Sequence, residues 1–318
     1  MGEPVGRAGL RSLPSPPLSA TSMTITPPRY EGRVRVREGR VLGVAEFGPA
    51  RSDHTIVWFH GTPGARRQVP EPARRLADER GIRIIGIDRP GVGLSTPHRY
   101  HHLVQSAADL EVALDRLGVE RFATVGLSGG APYALSTAYA MADRVPTVGI
   151  LGGVVPSGGE DGTDGGLVSL ATRLKPLLPL MAEPAGGLLT TFMRVARPVG
   201  SPALELYARL APPADRDVLR TPEHKEMFLD DLLNSGRHGM RAALYDAILF
   251  TRWWGFSVRE VQARVVWWQG DADNIVPLAH AEHIVPLLPR GELRVQPGSG
   301  HLGGFAIAAE VVETVLDW

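Results

Sequence analysis

The stretch Thr124-Val125-Gly126-Leu127-Ser128-Gly129-Gly130-Ala131-Pro132-Tyr133-Ala134-Leu135 decides how this chain is read. An apolar β-type run (Phe122, Ala123, Val125) ends in Gly126-Leu127-Ser128-Gly129, and a small-residue helical run follows from Ala131 to Ala142. That is Gly-x-Ser-x-Gly in a strand-to-turn-to-helix context. Glycines belong there because a serine held in a strained turn leaves no space for neighbouring Cβ atoms. The helix behind the turn aims its free N–H groups and positive dipole end at the hydroxyl. A Gly/Ser turn alone carries no chemistry, so its company in the chain has to decide.

Working outward, strand and helix patterns alternate. Arg33–Arg37 and Val41–Phe47 read as a hairpin around Glu38-Gly39. His54–His60 reads as a buried strand, Val69–Leu76 as a short helix stopped by Gly81, and Ile82–Ile87 as the next strand. Ala107, Leu110, Leu114 and Leu117 recur at helical spacing, and Thr147–Val155 is a further apolar strand. This order predicts a parallel sheet with helices on both faces. The pattern breaks at the Gly/Asp run 157–166, read as a flexible hinge, and residues up to about Val258 read as helical. Strands resume at Arg264–Gln269 and Glu292–Val295, with helices over Leu278–Leu288 and Phe305–Trp318. The predicted organisation is a Pro/Ser-rich disordered leader over 1–29, a core made of 30–156 with 259–318, and a helical lid over 157–258.

A serine hydroxyl becomes a nucleophile only when a base takes its proton, and the base needs a carboxylate to fix its tautomer. Two stretches supply these groups, each just past a predicted strand. Gly270-Asp271-Ala272-Asp273-Asn274-Ile275-Val276-Pro277 offers two acids, of which Asp273 is favoured because Asp271, directly after Gly270, suits a turn cap. Glu160 and Asp161, beyond the preceding strand, are the alternative acids. Pro297-Gly298-Ser299-Gly300-His301-Leu302 places the base, His301, between a glycine and a helix. The oxyanion donors expected are the N–H of Gly129 and, from the loop His60-Gly61-Thr62-Pro63-Gly64, the N–H of Thr62. His60 is assigned to holding that loop.

These motifs, with Asp88-Arg89-Pro90-Gly91-Val92-Gly93-Leu94-Ser95, together resemble the α/β-hydrolase superfamily over residues 33–318. The resemblance implies an α/β-hydrolase fold, a mostly parallel sheet of the eight-stranded type with an inserted helical lid. It also implies Ser128, Asp273 and His301 as triad and Thr62 and Gly129 as oxyanion donors. Such a protein acts as an esterase or, from the His-Gly-x-Pro-Gly loop, as a proline-iminopeptidase-like enzyme with lid carboxylates holding the substrate ammonium. Glu183, Asp230, Asp231 and Asp246 are available for that task. Serine at 128 speaks against haloalkane dehalogenases and epoxide hydrolases. Asp88–Ser95 is given only a structural role. A ligand-binding protein that kept the fold without turnover is the non-enzymatic alternative.

Composition narrows the partners. Lys+Arg and Asp+Glu are both 34, so the formal net charge is zero and nothing points to nucleic acid. No cysteine is present, which excludes thiolate metal sites and a cysteine nucleophile. No apolar run approaches the roughly 20 residues of a membrane-spanning helix. With neither signal peptide nor span recognised, a cytoplasmic location is expected. The expected partner is a small acyl substrate, with no cofactor and no metal. His98, His101 and His102 are read as a solvated loop. Phe192, Met193, Trp253 and Trp254 are the candidate substrate-binding residues in or near the lid.

Overall fold

A computed structural model describes residues 25–163, 212–235 and 241–318. Eight strands form one sheet in the order β1-β2-β4-β3-β5-β6-β7-β8. They are β1 (Tyr30–Arg35), β2 (Val41–Phe47), β3 (Thr55–Phe59), β4 (Arg83–Ile87), β5 (Ala123–Leu127), β6 (Thr147–Leu151), β7 (Arg264–Gly270) and β8 (Gly291–Gln296). β2 pairs antiparallel with both β1 and β4, and every other pairing is parallel. The central strands are buried on both faces, as their continuous apolar runs require. In β3, Val57 and Phe59 join one core layer while Ile56 and Trp58 join the other. Each large side chain so buried contributes about 1.5–3 kcal/mol.

Helices α1 (Glu71–Arg80), α2 (Gln105–Arg116) and α3 (Ala131–Ala140) connect the strands of the first half. α1 ends where expected, at Gly81 in the left-handed region with φ 65°. Between β6 and β7 stand α4 (Pro213–Arg220), α5 (Pro222–Ser235) and α6 (Arg241–Phe250), and α7 (Leu278–Ile284) and α8 (Ala308–Leu316) close the chain. Among the described residues no helix is long and apolar enough to cross a membrane.

Several boundaries differ from the sequence reading. The strand expected over Thr147–Val155 stops at Leu151, because Gly152 turns the chain out of the sheet with φ 54°. The last helix starts at Ala308 rather than Phe305, after a short 3₁₀ turn over Gly303–Phe305. Residues 25–29, expected as the end of a disordered leader, are docked on the core: Ile25 is buried, and Thr26 gives its N–H and hydroxyl to Glu71 at 2.8 and 2.8 Å. The start of the Gly/Asp run, read as a flexible hinge, is pinned. The Asp161 carboxylate accepts Ser257 Oγ and the Val258 N–H, both at 2.8 Å, and so ties the chain just after β6 to the chain just before β7.

Candidate active site

Ser128 follows β5 directly and has φ 50°; Glu38 is the other non-glycine residue in this region among those described. Such a conformation costs on the order of 1–3 kcal/mol and is held only by its surroundings. Those surroundings are tight. A Cβ on Gly126 would lie 2.7 Å from Ala131 Cα, and one on Gly130 2.2 Å from the Phe59 carbonyl oxygen. The Ser128 carbonyl accepts the Val154 N–H at 3.1 Å. The result is a half-buried hydroxyl at the carboxyl end of β5, where α3 begins.

Two other strand ends bring their groups to this hydroxyl. His301 Nε2 stands 2.9 Å from Ser128 Oγ, and Nδ1 stands 2.8 Å from Asp273 Oδ2. With Nδ1–H given to the carboxylate, Nε2 carries the lone pair and accepts the serine O–H. The Asp273 side chain is fully buried and satisfied on every side. Oδ1 accepts the Ile275 and Val276 N–H groups at 2.8 and 2.9 Å, and Oδ2 accepts Gln269 Nε2 at 2.9 Å. Asp271 instead accepts the Gly298 N–H at 2.7 Å, as a turn cap. Asp161 bonds Ser257 and Val258, ahead of β7, rather than the imidazole.

The loop after β3 approaches the serine from the other side. A Cβ on Gly61 would be 3.6 Å from Ser128 Cβ, and one on Gly129 2.3 Å from Thr62 Oγ1, so Thr62 and Gly129 are neighbours. The Thr62–Pro63 peptide is cis. His60 is buried, and its ring bonds the Gly61 carbonyl through Nδ1 at 2.7 Å while Nε2 faces the Arg89 N–H at 3.5 Å. Burial first, and then the charge of Arg89, hold the His60 pKa well below its ordinary value, so its ring is neutral and serves as a loop prop.

Of the expected substrate-binding residues, Phe192 and Met193 fall outside the described residues. The two tryptophans are not at the serine. Trp254 is core, its Nε1–H donating to the Phe250 carbonyl at 3.3 Å. Trp253 is half exposed and packs edge-on against His102 at 5.2 Å between ring centroids. An aromatic that does approach the site, among the described residues, is Phe250 of α6, whose ring edge would lie 3.2 Å from a Cβ on Gly129. Only its place in an apolar helical run signalled it, and that run also fits core packing. A cavity of about 130 Å³ lies between the 90–100 loop and α6, beside Tyr133, Tyr245 and Asp246, and Ser128, Asp273 and His301 do not line it. Among the described residues no cluster of His, Asp or Glu is placed to hold a metal ion. His101 and His102 are exposed.

A sequence profile of the alpha/beta hydrolase fold matches residues 54–164, the segment from β3 through the serine turn and past β6. The chain is an α/β-hydrolase-fold protein. Over 297 residues the chain is 27% identical to a 2-hydroxy-6-oxononadienedioate/2-hydroxy-6-oxononatrienedioate hydrolase of Pseudomonas sp., covering 90% of this chain and 95% of that one. It is 31% identical over 131 residues to Epoxide hydrolase B of Mycobacterium tuberculosis, a match spanning 39% of this chain and only 35% of that protein. A thermophilic esterase from Thermogutta terrifontis superposes with a TM-score of 0.61 at 20% identity, over 90% of this chain and 97% of that chain.

Proposed function

We propose that this α/β-hydrolase-fold protein is a serine hydrolase that cleaves a carboxylic ester with a small or apolar acyl group through an acyl-enzyme, with residues 157–258 as its lid. The hydrogen-bonded series Ser128–His301–Asp273, built on a strained turn, carries the reading. As Ser128 Oγ bonds to the ester carbonyl carbon, its proton passes to His301 Nε2. Asp273 then faces an imidazolium, which its buried carboxylate stabilises. The carbonyl oxygen takes the negative charge and is received by the N–H groups of Thr62 and Gly129, each worth about 3 kcal/mol in the transition state. Collapse breaks the ester C–O bond, and the alcohol leaves with the proton from His301. Water then attacks the acyl-enzyme, giving its proton to His301, and the acid departs as Oγ recovers it.

The aminopeptidase reading loses its anchors. Asp231 is occupied by the Ala65 N–H, Asp230 by Arg67 Nη1 at 2.9 Å, and Asp246 by Arg89 and the Tyr133 hydroxyl. None of the three is spare for a substrate ammonium; Glu183 lies outside the described residues. A second reading is favoured by the Pseudomonas relative, which matches nearly end to end: the same serine would attack a carbonyl of a keto diacid of the kind that relative's name gives.

The experiment is labelling by a fluorophosphonate probe together with turnover of p-nitrophenyl esters, proline p-nitroanilide and the oxononadienedioate. Ester turnover and labelling are expected in the wild type, with Ser128→Ala losing both by about 10⁴-fold or more. Faster turnover of the anilide or of the diacid would replace the ester reading by that one. A wild-type chain that does not label would leave a binding protein.

A further inference from the structure

The Asp88–Ser95 turn, given only a structural part by its sequence, carries a side chain that reaches the site. Arg89 is buried, 2% exposed, and its guanidinium is used from every side. Nη1 donates to the carbonyls of His60 at 2.7 Å and Gly129 at 2.8 Å, and Nη2 donates to the Gly61 carbonyl at 2.8 Å and to Thr62 Oγ1 at 2.6 Å. Nε is ion-paired with Asp246 Oδ2 of α6 at 3.0 Å, and the group lies 5.2 Å from the Tyr133 ring centroid. Asp246 is itself fixed by hydrogen bonds from the Tyr133 hydroxyl, at 2.8 Å, and from Thr62.

The Gly61 carbonyl and the Thr62 N–H belong to one peptide unit. In a trans peptide they point to opposite edges of the same plane, so whatever grips the oxygen sets the direction of the N–H. Two donors grip it, His60 Nδ1–H and the charged Arg89. A cation on the oxygen also polarises the unit and makes its N–H a stronger donor. The same guanidinium ties Gly129 from its carbonyl side to the β3 loop, so two segments 67 positions apart, Thr62 and Gly129, are held in one frame. A buried guanidinium stays charged at low cost only beside a counter-ion, and here the inserted segment supplies it.

We propose that Arg89 is the positioning residue of the oxyanion site, orienting the Gly61–Thr62 peptide and fixing Gly129, and that Asp246 makes this arrangement depend on α6. The proposal rests on the serine hydrolase reading above. It places the insertion in the chemistry through an ion pair rather than only through a substrate pocket.

The test uses the full chain and two readouts: the rate of fluorophosphonate labelling, and inhibition by a trifluoromethyl ketone whose tetrahedral oxygen needs the same two N–H groups. Arg89→Gln is expected to lose about 30-fold in both, less than the 10²–10³ of a deleted donor, while KM for an ester changes less than about twofold. Arg89→Lys is expected to recover little, because one ammonium cannot span four acceptors in the guanidinium plane. Asp246→Asn is expected to lose about fivefold in both readouts, since the donors remain and only their charge balance changes. A folded Arg89→Gln with both readouts within twofold of wild type overturns the proposal. If that variant does not fold, Asp246→Asn decides, and wild-type values there overturn it. Failure to label the wild type sinks the hydrolase reading instead, whereas labelling lost in Ser128→Ala but unchanged in the Arg89 and Asp246 variants sinks this proposal alone.

Discussion

Asp215 of α4 accepts the backbone N–H of Leu302 at 2.7 Å, one residue beyond the imidazole that meets Ser128. The contact is close enough that a Cβ on Gly300 would lie 2.3 Å from Asp215 Oδ1. The helices between β6 and β7 thus touch the His301 loop through Asp215 of α4 and, through Asp246 and Phe250 of α6, the Thr62–Gly129 side. Losing the Asp215 acceptor leaves the Leu302 N–H short of a partner and frees the loop. A misplacement of about 1 Å can cost on the order of 10²-fold in rate. We expect Asp215→Ala to lower kcat about 10-fold with KM little changed, and Asp215→Asn, which keeps an acceptor oxygen, to stay within about threefold. Equal losses in the two variants would show that the carboxylate acts through something other than this hydrogen bond.

The two aspartates after β7 make a sharper comparison. Asp273 bonds His301 Nδ1 from a fully buried position, while Asp271 caps the turn at Gly298. An amide at 273 presents either an N–H or a weaker acceptor to the ring, and the neutral tautomer with Nε2 free is no longer favoured. Asp273→Asn should therefore lower kcat by about 10³–10⁴ without unfolding the chain. Asp271→Asn retains an acceptor for Gly298 and should stay within about twofold. Steady-state ester kinetics on the two purified variants decide it, and a larger loss at 271 would reverse the assignment of the acid.

Why was the serine turn legible and Arg89 not? Gly126 and Gly130 announce themselves because approaches of 2.2–2.7 Å leave no space for a Cβ, and they flank a Ser128 held at φ 50°. Asp273 and His301 follow strands, and their order in the chain mirrors the order of strand ends along one rim. Arg89, by contrast, makes three of its hydrogen bonds to carbonyl oxygens, which every residue has. No residue pattern marks the atoms it binds. The same holds for Asp161, Asp215 and Asp231, whose partners are backbone N–H groups of residues far away in sequence. Trp253-Trp254 misled for the opposite reason: conspicuous aromatics sit beside the returning strand, yet one is core and the other faces His102.

Gly130 gives a stability prediction. It stands where α3 starts, and a Cβ there would meet the Phe59 carbonyl oxygen at 2.2 Å and its carbon at 2.7 Å. Both are backbone atoms of a central strand, so no rotamer change relieves the clash. The strand paired on each side of β3 would have to shift with it. Overpacking a rigid site costs up to about 3 kcal/mol. Gly130→Ala should lower the denaturant midpoint accordingly. By comparison, Gly118→Ala, with nothing within 4 Å of its Cβ, should show only the cost of a positive φ, about 1 kcal/mol. Similar losses in the two variants would refute the close approach of α3 to β3.

Asp231 links α5 to pH. Its carboxyl, on α5, is buried and takes the Ala65 N–H on both oxygens at 3.0 Å. Burial first, and then the neighbouring carboxylates Asp88 and Asp230, push its pKa well above the usual range, against the Ala65 N–H and Arg66. Arg66 is shared with Glu31 and Asp88, and Arg67 with Glu31 and Asp230, so neither cation is given over to Asp231 alone. A pKa raised in the folded state means that the fold holds a proton the unfolded chain releases near pH 4. The stability this group contributes is therefore complete below about pH 4 and is lost as pH rises through the folded value. Asparagine at 231 keeps an acceptor and cannot ionise, so the Asp231→Asn variant does not lose that contribution. Its Tm minus that of the wild type should be near or below zero at about pH 4 and should climb as pH rises above that. A difference that stays flat across that range would mean that Asp231 is ionised in the fold, with the surrounding arginines outweighing burial.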